Sequence, residues 1–219
     1  MTFPFPFFPV SSVVPIDISY VDTATSTADL TTYTFSARSF GDAAADRVIA
    51  VGIVSRATAI RSITGVTIGG VTATEISNGT GPNSGGATNT ALFAALVPTG
   101  TTGDVVVTHS AGQARCAIAI HRLIGADLGS ATGAFNSDNN PSASINVVRG
   151  GAAIAISYSA ANTSATWTGI DEDVDATVES QSYSAAHRAF ANAASSHAIQ
   201  CNWASNSTPG FAYAVFAPA

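Results

Sequence analysis

The chain has 219 residues, of which 10% are charged and 46% hydrophobic, with a formal net charge of −6. Ordinary globular chains carry about 25% charged residues, so much of this surface must be Ser, Thr, Asn and Ala, or be covered by partners. No apolar run approaches the roughly 20 residues of a membrane helix, and the basic residues, all Arg, form no stripe that could follow a phosphate backbone, so neither a membrane nor a nucleic acid is expected as partner.

The chain opens MTFPFPFFPV, with no charge before Asp17. Phe3, Phe5, Phe7 and Phe8 lie among Pro4, Pro6 and Pro9. Proline fixes φ and removes a donor, so this stretch favours extended, polyproline-like geometry. Phe side chains left in water invite aggregation, so a groove should receive them, on this domain or on a neighbouring subunit. The stretch lacks the basic segment and unbroken apolar core of a secretory signal. Residues 1–14 therefore read as an assembly arm. Residues 15–219 read as one domain, since no shift in composition divides them.

Beyond the arm, helical periodicity is nearly absent and alternation dominates. Strands are predicted over Ile16–Val21, Leu30–Ala37, Arg47–Val54, Thr64–Ile68, Val71–Ile76, Thr90–Val97 and Asp104–His109. Gly69-Gly70 reads as a two-residue hairpin turn, and Thr80–Gly86 as a loop. Cys116-Ala-Ile118-Ala-Ile120 alternates large residues with Ala, as do Ala153–Tyr158 and Phe211–Val215. Period two places the large residues on one face of a strand and Ala on the other. Alanine is a poor solvent-facing strand residue, so a loop, a second layer or another subunit should cover that face. Asn136–Pro141 reads as a loop, and further strands as Ala143–Val148, Ala165–Ile170, Tyr183–Phe190 and Ser196–Trp203. About a dozen short strands at this spacing predict an all-β fold: a single antiparallel β-sandwich, jelly-roll-like, with an extended N-terminal arm.

The chemistry-bearing residues are sparse. Asp171, Glu172, Asp173, Asp175 and Glu179 form an acidic cluster that resembles the start of a calcium loop. Ala176 stands where such a loop needs Gly, and Ser182 where it needs Glu, so a solvated loop or a charged edge that prevents stray strand pairing is expected instead. His109, His121, His187 and His197 show no zinc-ligand spacing, and no metal or cofactor is expected. Cys116 and Cys201 sit among apolar strand residues and read as buried thiols. Trp167 and Trp203 read as packing residues, with stacking on a sugar ring as the other role. No nucleophile elbow, phosphate loop or dinucleotide fingerprint is present, so no catalytic residue is named and no enzyme is expected.

The segments Val66–Thr74, Ala91–Thr108 and Arg115–Leu123 resemble small β-rich virion proteins of tailed phages, prophages and gene-transfer-agent-like particles of proteobacteria. The resemblance spans residues 66–123 and rests on strand-and-turn patterns, with no catalytic residues to transfer. It implies a non-enzymatic head-decoration, spike or tail-associated subunit, assembled into a virion in the bacterial cytoplasm. Its partners would be copies of itself and other virion proteins, with Phe3, Pro4, Phe5, Pro6, Phe7, Phe8 and Pro9 as the attachment arm. The alternative is a lectin-like module that recognises a host-surface glycan.

Overall fold

The computed structural model describes residues 13–81, 86–138, 140–205 and 209–219. The predicted arm residues Phe3 to Pro9 lie outside the described residues, as does most of the expected loop from Thr80 to Gly86. The first half of the chain forms β1 (Asp17–Ser26), β2 (Leu30–Ser39), β3 (Val48–Ala57), β4 (Ile63–Ile68), β5 (Val71–Thr72), β6 (Thr74–Thr80), β7 (Ala87–Leu96), β8 (Thr102–Gln113) and β9 (Arg115–Ile124). The second half forms β10 (Ala126–Asn136), β11 (Ser142–Val147), β12 (Ala152–Ser159), β13 (Ala165–Thr168), β14 (Asp171–Val178), β15 (Gln181–Ala189), β16 (Ala194–Trp203) and β17 (Gly210–Pro218). The fold is all-β, and its sheets are antiparallel and packed face to face as a β-sandwich. Among the described residues no helix is long and apolar enough to cross a membrane.

The described residues form four stacked sheets. The order β1-β9-β3-β7-β6 forms an inner sheet, and β2-β8-β4-β5 an outer sheet over it. The second half repeats the plan, with β10-β17-β12-β15-β14 inside and β11-β16-β13 outside. The correspondence runs strand by strand: β1 pairs β9 as β10 pairs β17, β2 pairs β8 as β11 pairs β16, and β3 pairs β7 as β12 pairs β15. The sandwich therefore occurs twice, and the two copies meet through their inner sheets.

Strand alternation builds three cores from this stack. Ile49, Val51, Ile53, Cys116, Ile118 and Ile120 point outward to meet Tyr33, Phe35, Val105 and Val107. The opposite faces carry Val48, Ala50, Ala117, Ala119 and Leu123, which meet Ile154, Ile156, Tyr158, Ala212 and Ala214 in the central core. The third core joins Ala153, Ala155 and Phe211 to Ile199, Cys201 and Trp203. The expected cover over the Ala faces is thus a second layer, and the small side chains let the inner sheets approach closely. Gly52 shows how closely: a Cβ there would lie 2.9 Å from Ile156 Cδ1 of the other copy.

The hairpin expected at Gly69-Gly70 is present, with φ of 58° and 81°, the left-handed pair a type I′ turn requires. The single strand expected over Val71–Ile76 is broken at Ala73, so that β5 completes the outer sheet and β6 edges the inner one. Strands β10 and β14 were not expected from the sequence. Glycines at 129 and 133 obscure the first, and a run of acids obscures the second.

Candidate functional site

Three polar side chains from three strands meet at the edge of the central core. His121 lies on β9 between Ala119 and Leu123 in the stripe that faces the second copy, so it occupies a position the pattern otherwise gives to apolar residues. His187 comes from β15 of the facing sheet. Asp173 comes from β14, the outermost strand of that sheet, and reaches inward through a β-bulge. Glu172 lies opposite Ala186 and Val174 opposite Ala185, so Asp173 is the extra residue between them. A bulge re-aims a side chain and bends its strand; here it turns one carboxylate of an acidic strand into the interior.

The Asp173 carboxylate bridges the two imidazoles. His121 Nε2 is 2.8 Å from Oδ2, and His187 Nδ1 is 2.6 Å from Oδ1. The His121 side chain is 1% exposed, Asp173 7% and His187 24%, so the group opens toward solvent only past His187. The imidazole rings stand edge to face at 5.6 Å, and the Tyr20 ring closes the other side of His121 at 5.7 Å. Beside them, Thr23 on β1 bonds Tyr183 on β15 across the interface at 2.9 Å.

The electrostatics follow from burial and contact. Burial pushes the Asp173 carboxyl up, but hydrogen bonds from both histidines outweigh it and hold the group below its ordinary range. Burial pushes the His121 imidazole down, against the pull of Asp173. The resting arrangement at neutral pH is therefore an ionised carboxylate accepting an N–H from each ring, with His121 neutral. Its Nδ1 is buried without a hydrogen-bond partner. Three groups of this kind, with ligand atoms within 4.8 Å of one another, can hold a metal ion.

Of the two expected readings for the acids beside Asp173, loop or charged edge, the structure gives the edge. Asp171, Glu172 and Asp175 are exposed on an edge strand, where charge discourages stray pairing. The extended backbone spreads them along the strand instead of wrapping them around a cation. Of the four histidines, only 121 and 187 are brought together. His109 bonds Ser55 at 3.0 Å, and His197 bonds the Gly169 carbonyl at 2.6 Å. Trp203 is buried in the third core, and Trp167 is half-buried, donating to Ser184 Oγ at 2.7 Å. Cys116 and Cys201 are free, buried and in different cores; burial pushes the Cys201 thiol up to about 12. The bridged trio was invisible to spacing rules because its members lie far apart in sequence and because β14 reads as a loop.

A second surface feature lies at residues 13 and 14, the first that the structure describes. Val13 is 42% exposed, Val14 75% and Val148 53%, and together with Arg149, Ala217, Pro218 and Ala219 they line a cleft of about 480 Å³. Two residues on, Ile16 is buried and donates its N–H to the Gly150 carbonyl at 2.8 Å, which ties the chain just before β1 to the second sandwich. No known family pattern matches the chain, and no curated protein resembles it at a significant level.

Proposed function

We propose that this protein is a non-enzymatic structural subunit of a phage-like particle, a decoration, spike or tail-associated protein that self-associates and attaches through its N-terminal arm. The observation that carries this reading is the exposed valine cluster of Val13, Val14 and Val148, the first two of which directly follow a charge-free, Phe-rich segment in sequence. Exposed valines clustered in this way suit a protein–protein contact. The strand order supports it too. Each copy pairs its first strand with its last and its second with its next to last, as a rolled-up antiparallel hairpin does, and jelly rolls of this kind serve in capsids and lectins. The aromatic inventory favours the structural role over the glycan-binding one. No aromatic residue among the described residues is fully exposed, whereas stacking on a sugar ring asks for an accessible ring face.

Deletion of residues 2–10 tests the reading. Sedimentation should show loss of self-association, and the protein should no longer enter particles, while far-UV circular dichroism keeps its β signature. Four buried Phe side chains at roughly 1.5–3 kcal/mol each are enough to fasten a subunit. Normal assembly of the shortened protein would overturn the proposal, and unfolding would assign the arm to the chain's own core.

A further inference from the structure

We propose that His121, Asp173 and His187 form a binding site for a divalent transition-metal ion of the zinc class, placed to tie the two sandwiches together. Two imidazoles and a carboxylate are borderline and hard donors that suit zinc, and three protein ligands leave a fourth position for water. The ligand atoms already converge, with the carboxylate 2.8 Å and 2.6 Å from the two ring nitrogens. Metal–ligand bonds of about 2.0–2.2 Å to each group need only small outward shifts from this geometry. The half-buried edge of His187 gives the ion a way in.

The duplication supplies an internal comparison. Across inner sheet two, a row of paired residues runs Asp171, His187, Ile154, Ala214. Across inner sheet one, the matching row runs Thr74, Ala94, Ala50, His121. Strand β6 bulges at the same place as β14, between Glu75 and Ser77, which makes Ile76 the counterpart of Asp173. His187 thus corresponds to Ala94, and His121 to Ala214. The mate of the polar trio is Ala94 and Ala214, buried in the central core, and Ile76, packed against it. The fold closes this position with apolar side chains on one side of the interface, so it does not require the histidines and the aspartate on the other. Buried ionisable groups without a packing need point to a ligand. The inference concerns the central interface and stands apart from the attachment role of the arm.

The test uses the tag-free chain, stripped with a chelator and then titrated with Zn²⁺ by calorimetry and with Co²⁺ by visible absorption. The wild type should take up one ion per chain, and Co²⁺ should give the visible bands of a low-coordinate nitrogen–oxygen site. Zinc at a hundredfold over its Kd should raise Tm by about 5–10 °C. The triple variant His121→Ala, Asp173→Ile, His187→Ala copies the mate site, so it should fold and lose both uptake and the thermal shift. His187→Ala alone, at the partly exposed corner, should weaken zinc by more than about tenfold. The proposal is overturned if the stripped wild type binds no zinc, which would leave a hydrogen-bonded His–Asp–His clasp, or if either variant binds as the wild type does.

Discussion

His109 shows how a single buried polar residue couples the fold to pH. Its ring is 2% exposed in the first outer core, it bonds Ser55 Oγ, and burial pushes its pKa from 6.5 down to about 4. Above pH 6.5 the imidazole is neutral whether the chain is folded or not. Between pH 6.5 and about 4 the unfolded chain takes up a proton that the folded chain does not, so stability falls as the pH drops through that window and levels off below it. The loss is on the order of 3 kcal/mol. Urea unfolding at pH 7 and pH 4.5 should show a smaller loss for His109→Gln than for the wild type; equal losses would mean that the ring is protonated in the folded state. Arg47 is the contrasting case of a charge that the fold keeps. It is fully buried, and its donors reach the carbonyls of Val97 at 2.8 Å, Gly41 at 2.9 Å, Thr99 at 2.8 Å and Gly100 at 2.7 Å. A planar fork of five donors suits several carbonyls at once, and here it pins the loops that flank β3 and β7.

At the scale of the strand, bulges and glycines decide how the inner sheets meet. The bulge at Asp173 turns a carboxylate inward, and its counterpart at Ile76 turns an alkyl group inward, so one backbone device serves two chemistries. Gly79 on β6 sits directly beneath the ring of Phe135 on β10, in the space a Cβ would take. Neither backbone can retreat without opening the central core, so Gly79→Ala should destabilise the protein by about 1–3 kcal/mol through overpacking. Thermal or urea unfolding would check this, and Gly70→Ala is an informative companion. Gly70 has open space around it but a φ of 81°, so its substitution probes turn strain without any clash. A neutral Gly79→Ala would show that the sheets separate more easily than their packing suggests.

At the scale of the whole molecule, the pairing of two sandwiches is the organising fact, and it was only partly legible in the sequence. The alternation over Cys116–Ile120, Ala153–Tyr158 and Phe211–Val215 gave strands and demanded a cover for their Ala faces, and that cover exists. The duplication stayed hidden because the loops of the two copies differ in length, and because β10 and β14 lack a readable apolar alternation. The His–Asp–His trio was illegible for a related reason: Asp173 and His187 meet only through the pairing and bulge of β14 with β15, and His121 joins them only when the inner sheets of the two copies face each other. That same dependence yields a test of the architecture. The first copy turns Val48, Val54, Leu92 and Leu123 toward the second, and each is worth roughly 1.5–3 kcal/mol when buried. Together they rival the typical total stability of about 5–15 kcal/mol. Residues 1–124 expressed alone should therefore aggregate or associate through the bared sheet, and co-expression with residues 125–219 should recover a soluble 1:1 complex. The intact chain should unfold in one calorimetric transition. Two separated transitions, or a monomeric and fully folded first half, would show that the copies are independent domains that merely touch.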